Sequence, residues 1–456
     1  MDDSGAARPL RVAVVGAGPA GIYTADHLTS GRVVPEGTSP GGVSVDLIER
    51  LPVPFGLLRY GVAPDHVSIK STGRALGEVL ARPGVRLFGN VELGGAVTEA
   101  ELRERYDVVV YALGATEDRH LNIPGEQLPG SISATSFVSW YNGHPDSDVP
   151  DLDGVTAVAV VGVGNVAVDV ARILLRNPAE LEPTDMPTDV IEALARSEVT
   201  DVHLLGRRGA VHAKWTTKEL RELGDLDGVA VLVDDGQLPD EAPEGAGRET
   251  RRNLDVLRGW AARPPAVASR RLHLHFSARP DGILGTDHVE GLLLERTTED
   301  GRGTGESWTL PVQAVLRSVG YRATVPDGVP FDDERHVIPT DAHRVVRDGV
   351  ASTGEYAVGW IKRGPTGVIG TNRSDAKETV LALAGDVPGI LAAHPGDPGG
   401  IDDLVADRDI RYVDVDGWRA VVAAESRRGE PHGRGTVKIS DWETLLAAAN
   451  VAPAGA

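Results

Sequence analysis

VAVVGAGPAG, residues 12–21, is the stretch that decides the fold of the first part of this chain. A run of small and β-branched residues leads into Gly16, Gly18 and Gly21, and the next residues, IYTADHL, have helical character without a breaker. The pattern predicts a strand, a tight turn and the start of a helix whose N–H groups can face a pyrophosphate. A single GxGxxG pattern is a weak signal, so the rest of the chain must decide which nucleotide binds here.

The composition is that of a soluble globular protein, and the length of 456 residues predicts two or three domains. The net charge of −21 argues against broad nucleic-acid binding, because phosphates need a basic surface. No apolar run reaches the roughly 18 residues of a membrane span, and no signal peptide precedes Arg11, so we expect a cytoplasmic protein. The absence of cysteine excludes a catalytic thiol and a cysteine-ligated iron–sulfur cluster, so a redox activity would need a bound organic cofactor.

A second strand, SVDLIER, ends in Glu49 after a Gly-, Pro- and Ser-rich loop between Gly31 and Gly42. An acid at the end of the second strand is where a dinucleotide-binding fold accepts two ribose hydroxyl groups. Glu49 lies further past Gly21 than the usual spacing of about 20 residues, and the long loop accounts for the excess. An ordinary surface acid is the alternative interpretation of Glu49.

A second dinucleotide pattern, GxGxxA, lies in the sequence TAVAVVGVGNVAVDVARILL. Its small residues are Gly162, Gly164 and Ala167. Asn165 and Val166 open the predicted helix, so that their N–H groups face a bound pyrophosphate. Two such patterns in one chain are a much stronger indication of dinucleotide binding than one.

The strand after the second pattern, VTDVHLLGRRG, ends in Arg207 and Arg208 instead of an acid. A ribose diol is bound by a carboxylate, whereas a ribose 2′-phosphate is bound by guanidinium groups. The first pattern therefore predicts a nucleotide with free ribose hydroxyls, and the second predicts NADP. A solvated basic turn is the alternative interpretation of the two arginines.

Several titratable residues could belong to a site or could be structural. His66 lies at the exit of an apolar loop rich in Pro and Gly, where a hydrogen-bonded structural histidine is the alternative to a site role. Glu219 and Glu222 lie one turn apart on a predicted helix, where solvated acids are common. His273 and His275 alternate along one strand face without further ligands nearby, so we predict no metal site. Their segment, RLHLHFSARPDGILG, is predicted to pair antiparallel with VEGLLLERT.

The stretch EYAVGWIKRGPTGVIGTNRSDAKETVLAL combines a strand, a Gly-rich turn and a long helix. The strand is predicted to end at Gly359 and Trp360, and the helix is predicted to be capped near Asn372 or Ser374. The N-terminus of this helix could stabilise negative charge on a reduced flavin ring.

Together these motifs resemble those of the NADPH–ferredoxin reductases of the adrenodoxin-reductase type, and of their mycobacterial members in particular. The resemblance covers nearly the whole chain and is carried by VAVVGAGPAG, PFGLLRYGVAPDH, VVGVGNVAVDVAR, LLGRRG, TTKELREL and GWIKRGPTGVIGTN. It implies an α/β fold of two Rossmann-like dinucleotide-binding domains with parallel sheets. The NADP-binding domain, residues 118–322, would be inserted between the two parts of the FAD-binding domain, residues 1–117 and 323–456.

The resemblance also implies which residues bind the cofactors. The implied FAD contacts are Gly16, Gly18, Ala20, Gly21, Glu49, Leu57, Trp360, Gly367, Val368 and Ile369. The implied NADPH contacts are Asn165, Val166, Arg207, Arg208 and Glu219. His66 and Glu222 are implied as paired catalytic groups near the flavin and the path to the electron acceptor.

The activity that the resemblance implies is hydride transfer from NADPH to flavin N5, followed by single-electron transfer to a ferredoxin. Ferredoxins are usually acidic, so this acidic chain would need a local basic patch for docking. A flavin monooxygenase and a non-catalytic NADP-binding redox sensor stay open as alternatives. A thiol-disulfide reductase of similar architecture is excluded because the chain has no cysteine.

Overall fold

The chain divides into two compact units. The computed structural model describes residues 8–32, 41–263, 267–393 and 397–450. Residues 33–40, most of the predicted Gly31–Gly42 loop, lie outside this described part. Unit 1 comprises Met1–Glu117 and Tyr321–Ala456, and unit 2 comprises Asp118–Gly320. Unit 1 is therefore built from both ends of the chain.

Strands and helices alternate along most of both units. In chain order the strands are β1 (Leu10–Val15), β2 (Val43–Glu49), β3 (Val85–Gly89), β4 (Val108–Tyr111), β5 (Glu117–Asp118), β6 (Ser131–Ser133), β7 (Ala157–Val161), β8 (Asp201–Leu205), β9 (Val229–Val233), β10 (Arg270–His275), β11 (Ala278–Leu284), β12 (Gly291–Thr297), β13 (Gly303–Leu310), β14 (Ala314–Arg317), β15 (Tyr321–Arg322), β16 (Thr340–Asp341), β17 (Arg344–Arg347) and β18 (Val350–Ala357). The helices are α1 (Pro19–Thr29), α2 (Leu57–Tyr60), α3 (Val67–Lys70), α4 (Thr72–Leu80), α5 (Glu99–Arg105), α6 (Ala134–Tyr141), α7 (Asn165–Leu175), α8 (Thr188–Arg196), α9 (Thr217–Gly224), α10 (Arg248–Ala261), α11 (Trp360–Arg363), α12 (Ile369–Ala393), α13 (Asp402–Asp407), α14 (Val415–Gly429) and α15 (Trp442–Ala448). Among the helices of the described residues, none has both the length and the hydropathy that a membrane span requires.

The sheet of unit 1 has β1 near its centre. Within the described residues its strand order is β16-β17-β18-β4-β1-β2-β3. The strands from β18 to β3 run parallel, and β17 and β16 continue the sheet in antiparallel fashion. Val12 and Val14 of β1 are fully buried in a core that also contains residues of α1 and α12. The apolar run before the first glycine pattern is therefore a strand buried on both faces, as parallel sheets require.

The main sheet of unit 2 is parallel, with the order β6-β14-β7-β8-β10-β9 in the part of the chain that is described. A separate antiparallel sheet, β11-β12-β13, packs apolar side chains against one face, where Val161 and Leu205 contribute to the shared core. Both units thus confirm the predicted α/β class with parallel sheets.

One strand pairing differs from the sequence prediction. β10 pairs in parallel with β8 and β9, and only β11 pairs antiparallel with β12. The prediction was wrong for the first half of this segment because Leu272 and Leu274 are buried within the parallel sheet. Ser277, with a φ of 52°, lies between β10 and β11, where the chain leaves one sheet for the other.

A stack of histidines lies on one face of the unit 2 sheet. The His203 ring lies 4.2 Å from the His273 ring and 5.3 Å from the His275 ring, measured between centroids. His203 Nδ1 lies 3.0 Å from His275 Nε2, and His273 Nε2 lies 2.8 Å from Asp201 Oδ1. Burial, reinforced by the neighbouring histidines, lowers the pKa of His203 to about 3 and that of His275 to about 4. These two imidazoles are therefore neutral near pH 7.

We expect the histidine stack to make the protein less stable in acid. The ordinary histidine pKa is 6.5, so between that pH and about pH 4 the unfolded chain binds more protons than the folded chain at His203 and His275. The free energy of unfolding therefore falls as the pH falls through this window. His203→Gln should reduce the pH dependence of the melting temperature there, whereas His288→Gln, at an exposed position, should not. Identical pH dependence in the wild type and His203→Gln would contradict this account.

Candidate functional site

The first glycine turn joins β1 to α1, and its three glycines meet different surroundings. Gly16 has a φ of 107°, and a Cβ added there would overlap the carbonyl oxygen of Ala112. A Cβ on Gly21 would overlap the carbonyl oxygen of Gly16. At Gly18, by contrast, no atom of the described residues other than Gly18 and its two chain neighbours lies within 4 Å of the position of a Cβ. The outer glycines thus permit close backbone packing, and the middle one leaves open space in front of the helix.

The N-terminus of α1 lacks a side-chain cap. The helix starts at Pro19, and Gly18 at the N-cap position provides no side-chain hydrogen bond. Proline at the first helical position lacks an N–H, so Ala20 and Gly21 provide the next backbone donors of this turn. An uncapped helix N-terminus beside open space is suited to an anionic ligand such as a pyrophosphate.

Glu49 is fixed beside this turn by the main chain. At the end of β2, its Oε2 accepts a hydrogen bond from the Ala17 N–H at 2.8 Å, and its Oε1 accepts one from the Leu51 N–H at 3.1 Å. Burial raises the pKa of the Glu49 carboxyl group, and these two donors oppose that effect. Each carboxylate oxygen retains acceptor capacity for a ribose hydroxyl group.

The apolar loop after β2 returns to the glycine turn. The N–H of Phe55 donates to the carbonyl oxygen of Ala17 at 2.8 Å. A Cβ on Gly56 would lie 3.3 Å from the Cα of Gly18, so the two backbones are close neighbours. Leu57, the first residue of α2, is therefore held beside the turn.

A second segment reaches the turn from the far end of the sequence. A Cβ on Gly359 would lie 2.8 Å from the Cβ of Ala20, which places Trp360, the first residue of α11, next to α1. The buried Asp375 fixes this segment, since its Oδ2 accepts from the Gly359 N–H at 2.7 Å and from Arg363 Nη1 at 2.6 Å. The charge of Asp375 is thus compensated inside unit 1.

The glycine-rich turn after α11 lies beside Trp360. Trp360 Nε1 donates to the carbonyl oxygen of Thr366 at 3.1 Å. Gly367 has a φ of 85°, and the N–H of Val368 donates to Thr371 Oγ1 at 3.2 Å. The Val368 side chain is exposed.

Helix α12 begins at Ile369, earlier than the sequence predicted. Neither Asn372 nor Ser374 is its N-cap, because both lie inside the helix. Asn372 Oδ1 instead accepts from Arg363 Nη2 at 2.7 Å, and Ser374 Oγ donates to the carbonyl oxygen of Thr371 at 3.0 Å. Both predicted caps were wrong because these polar groups have partners elsewhere.

The second glycine turn repeats this arrangement in unit 2. A Cβ on Gly162 would overlap the carbonyl oxygen of Ser318, whereas the space around a Cβ on Gly164 is open among the described residues. α7 starts with Asn165 and Val166, and its N-cap provides no side-chain hydrogen bond. The two turns therefore offer the same kind of anion site.

β8 ends at Leu205, so Arg207 and Arg208 follow the strand instead of ending it as the sequence predicted. A Cβ on the preceding Gly206 would lie 3.0 Å from Val163 Cγ1, within the second glycine turn, so the arginines start beside that turn. The carbonyl oxygen of Arg207 accepts from Thr297 Oγ1 at 2.7 Å. Within the described residues, neither guanidinium group has a hydrogen bond or ion pair, and Arg207 is exposed. Both cations are available for a ligand.

Glu219 and Glu222 lie near a buried cation rather than on a solvated helix face. Thr216 caps α9 by accepting from the Glu219 N–H at 3.2 Å, and Glu219 is buried. Arg172 of α7 is 1% exposed, pairs with Asp169, and places its Nε 3.8 Å from Glu222 Oε2. Burial lowers the pKa of Arg172 to about 10, and the charges of Glu222 and Glu219 oppose that effect.

His66 lies in unit 1, at the N-cap of α3. Its side chain is buried, and its carbonyl oxygen accepts from the N–H groups of Ile69 at 3.0 Å and Lys70 at 3.1 Å. Glu222 belongs to unit 2. The pairing of His66 with Glu222 stays a prediction.

Three residues that shape these sites were absent from the sequence prediction. Arg172 could have been found, because it interrupts the buried face of an apolar helix. Asp375 comes after the predicted turn among many charged residues, and nothing in its spacing identifies it as buried. Phe55 has a φ of 89°, a conformation that an aromatic residue does not favour and that sequence does not reveal.

Comparison with known proteins identifies the family. Residues 10–231 match the family described as pyridine nucleotide-disulphide oxidoreductase. The NADPH-ferredoxin reductase FprA of Mycobacterium tuberculosis (strain ATCC 25618 / H37Rv) is 44% identical over 96% of this chain and 99% of its own. This chain belongs to the NADPH–ferredoxin reductase family.

Two other members of the NADPH–ferredoxin reductase family agree with this assignment. The mitochondrial NADPH:adrenodoxin oxidoreductase of Arabidopsis thaliana is 39% identical over 98% of this chain and 96% of its own. The solved structure of Mycobacterium tuberculosis FprA in complex with NADPH matches with a TM-score of 0.90 and 42% identity, over 97% of this chain and 100% of that one. The resemblance stated from the sequence is confirmed.

The glycines of the first turn provide a test in this NADPH–ferredoxin reductase family member. Gly21→Ala places a methyl group against the carbonyl oxygen of Gly16, so we expect it to lower the free energy of unfolding by about 1–3 kcal/mol. Gly18→Ala enters open space and should change it by less than about 0.5 kcal/mol. Urea denaturation of the flavin-free protein measures both variants, so that no bound ligand contributes to the difference. If both variants lowered the free energy of unfolding equally, Gly18 and Gly21 would not differ in packing.

Proposed function

We propose that this chain is an NADPH–ferredoxin reductase that binds FAD in unit 1 and NADPH in unit 2. The observation that carries the proposal is the contrast between the two glycine turns. Beside the first turn, β2 ends in the carboxylate of Glu49. Beside the second, the strand leads into Arg207 and Arg208, whose guanidinium groups have no partner in the described part of the chain. A carboxylate selects free ribose hydroxyls, and guanidinium groups select a 2′-phosphate.

The residues of unit 1 fit a flavin dinucleotide. Open space at Gly18 and the uncapped N-terminus of α1 suit its pyrophosphate, and Glu49 suits its adenosine ribose. Leu57 and Trp360 adjoin the same turn from two directions. The residues that we assign to FAD are Gly16, Gly18, Ala20, Gly21, Glu49, Leu57, Trp360, Gly367, Val368 and Ile369.

The residues of unit 2 fit NADPH. The N–H groups of Asn165 and Val166 open α7 beside the open space at Gly164 and would hold the pyrophosphate. Arg207 and Arg208 would bind the 2′-phosphate through charge-assisted hydrogen bonds. We also assign the buried Glu219 to NADPH binding.

A bound flavin supplies the conversion of a two-electron hydride donor into two single-electron transfers. The net reaction then oxidises NADPH to NADP⁺ and a proton and reduces two ferredoxins by one electron each. We assign His66 and Glu222 to holding or moving protons near the reacting ring. Arg172 Nε lies 3.8 Å from Glu222 Oε2, so a buried cation adjoins one of these two residues.

The electron acceptor that we propose is a ferredoxin. This chain has no cysteine, so it provides no cysteine-ligated iron–sulfur cluster of its own. Because the net charge is −21, an acidic partner would have to dock on a local basic patch rather than on the surface as a whole. The cytoplasmic location stays a prediction from the sequence.

We expect the purified protein to carry a flavin absorbance and to reduce cytochrome c with NADPH only when a ferredoxin is added. The relatives of this chain support neither alternative, but the assay separates them. A flavin monooxygenase would couple NADPH oxidation to incorporation of oxygen into a substrate. A non-catalytic redox sensor would show no fast turnover with any electron acceptor. A colourless protein without flavin would refute the proposal.

The two arginines should determine the choice between NADPH and NADH. Replacing Arg207 and Arg208 with Gln removes charge-assisted bonds to the 2′-phosphate, so the KM for NADPH should rise by about 10- to 100-fold while that for NADH stays the same. Arg252→Gln, at an exposed position of unit 2, is the matched control. If the KM values for NADPH and NADH rose by the same factor, the proposed binding of the 2′-phosphate by Arg207 and Arg208 would be refuted.

A further inference from the structure

Residues 411–450 of unit 1 pack on the loop that reaches the first glycine turn. We call residues 411–450 the C-terminal clamp and residues 51–61 the turn-facing loop. The two segments share one apolar cluster, with loop residues Leu51, Val53 and Tyr60 and clamp residues Val413, Val421, Ile439, Leu445 and Ala449. The C-terminal clamp contains no dinucleotide-binding sequence pattern, so we infer its role from its contacts with the turn-facing loop.

The clamp holds the loop first at Phe55, whose backbone is strained. The φ of Phe55 is 89°, in a region that a bulky residue adopts only under backbone strain. The N–H of Phe55 donates to the carbonyl oxygen of Ala17, and the rings of Phe55 and Trp418 form a T-shaped pair with 5.4 Å between centroids and 84° between planes. Such strain persists only where the surroundings impose it, and it clusters at functional sites.

The clamp holds the loop a second time at Arg59. The Arg59 guanidinium pairs with Glu425 of α14, Nη1 to Oε2 at 3.2 Å, and their side chains are 11% and 2% exposed. Lys438 Nζ donates to the carbonyl oxygen of Arg59 at 3.0 Å, and Glu425 Oε1 accepts from the Ile439 N–H at 2.9 Å. A buried ion pair whose partners also hold the main chain fixes geometry more than it adds stability.

The part of the turn-facing loop that faces the proposed cofactor lies between Phe55 and Arg59, the two residues that the clamp contacts. Gly56 is the neighbour of Gly18, and Leu57 comes directly after it. If Phe55 relaxed out of its strained conformation, the backbone of Gly56 would move relative to the open space at Gly18. The volume available to a pyrophosphate therefore depends on contacts made from the other end of the chain.

We propose that the C-terminal clamp positions the turn-facing loop for the flavin dinucleotide, with Trp418 and Glu425 as positioning residues. Neither residue is proposed to touch the cofactor. They act through Phe55 and Arg59, which set the loop against the glycine turn. This inference rests on the proposed binding of FAD in unit 1.

The test uses the full-length chain with its flavin bound. Trp418→Leu removes the ring contact, Trp418→Phe restores an aromatic ring, and Glu425→Gln removes the charge at similar volume. Val422→Ala, at an exposed position of the same helix, is the matched control. FAD release is measured by the rise in flavin fluorescence, and the environment of the bound ring is measured by visible circular dichroism.

We expect Trp418→Leu and Glu425→Gln to release FAD about 10-fold faster and to change the flavin dichroism. Trp418→Phe should restore most of the wild-type behaviour, and Val422→Ala should match the wild type. A loss of melting temperature with unchanged release and dichroism would mean that the clamp only stabilises the fold, which overturns the inference.

The outcomes also separate this inference from the proposed function. A wild-type chain that binds no FAD overturns both. A wild-type chain that binds FAD, together with folded variants that bind it identically, overturns the clamp alone. If far-ultraviolet circular dichroism shows that Trp418→Leu does not fold, the FAD release rate of Glu425→Gln decides whether the clamp positions the loop. The Glu425→Gln variant retains a side-chain oxygen that can accept the hydrogen bond from the Ile439 N–H.

Discussion

The close approach of Gly21 to the carbonyl oxygen of Gly16 is the constraint on which unit 1 depends. Only a residue without a Cβ lets α1 start so near the end of β1, and that start leaves the helix N-terminus uncapped beside open space. The Glu49 carboxylate and the turn-facing loop then contact the backbone of this turn, and Gly359 approaches the Ala20 side chain at the start of α1. One steric requirement thus determines where three distant segments converge.

The glycine turn of unit 2 has the same close backbone packing, but different charged side chains follow its neighbouring strand. Gly162 packs on Ser318 as Gly16 packs on Ala112, and Gly164 leaves open space as Gly18 does. The two units differ at the end of the neighbouring strand, which carries a carboxylate in unit 1 and leads into guanidinium groups in unit 2. In the function that we propose, the same fold holds two dinucleotides: the backbone would bind the pyrophosphate that they share, and the strand-end side chains would distinguish a free adenosine ribose from one with a 2′-phosphate.

Buried charges organise the surroundings of both turns. Asp375 holds the Gly359 turn, Glu425 holds the loop through Arg59, and Arg172 faces Glu222 in unit 2. Each is compensated by partners from a different part of the chain. A charge buried in this way is costly to leave unpaired, so it specifies one arrangement of the segments that it joins.

The sequence by itself determined the fold class, the family and the contrast between Glu49 and the arginine pair, because glycine spacing and strand-end residues are local features. It did not determine the parallel pairing of β10, the start of α12 at Ile369 or the strained backbone of Phe55. Those features depend on contacts between residues far apart in the chain. Local patterns specify which elements form, but tertiary packing decides which strand they join and which polar groups they bury.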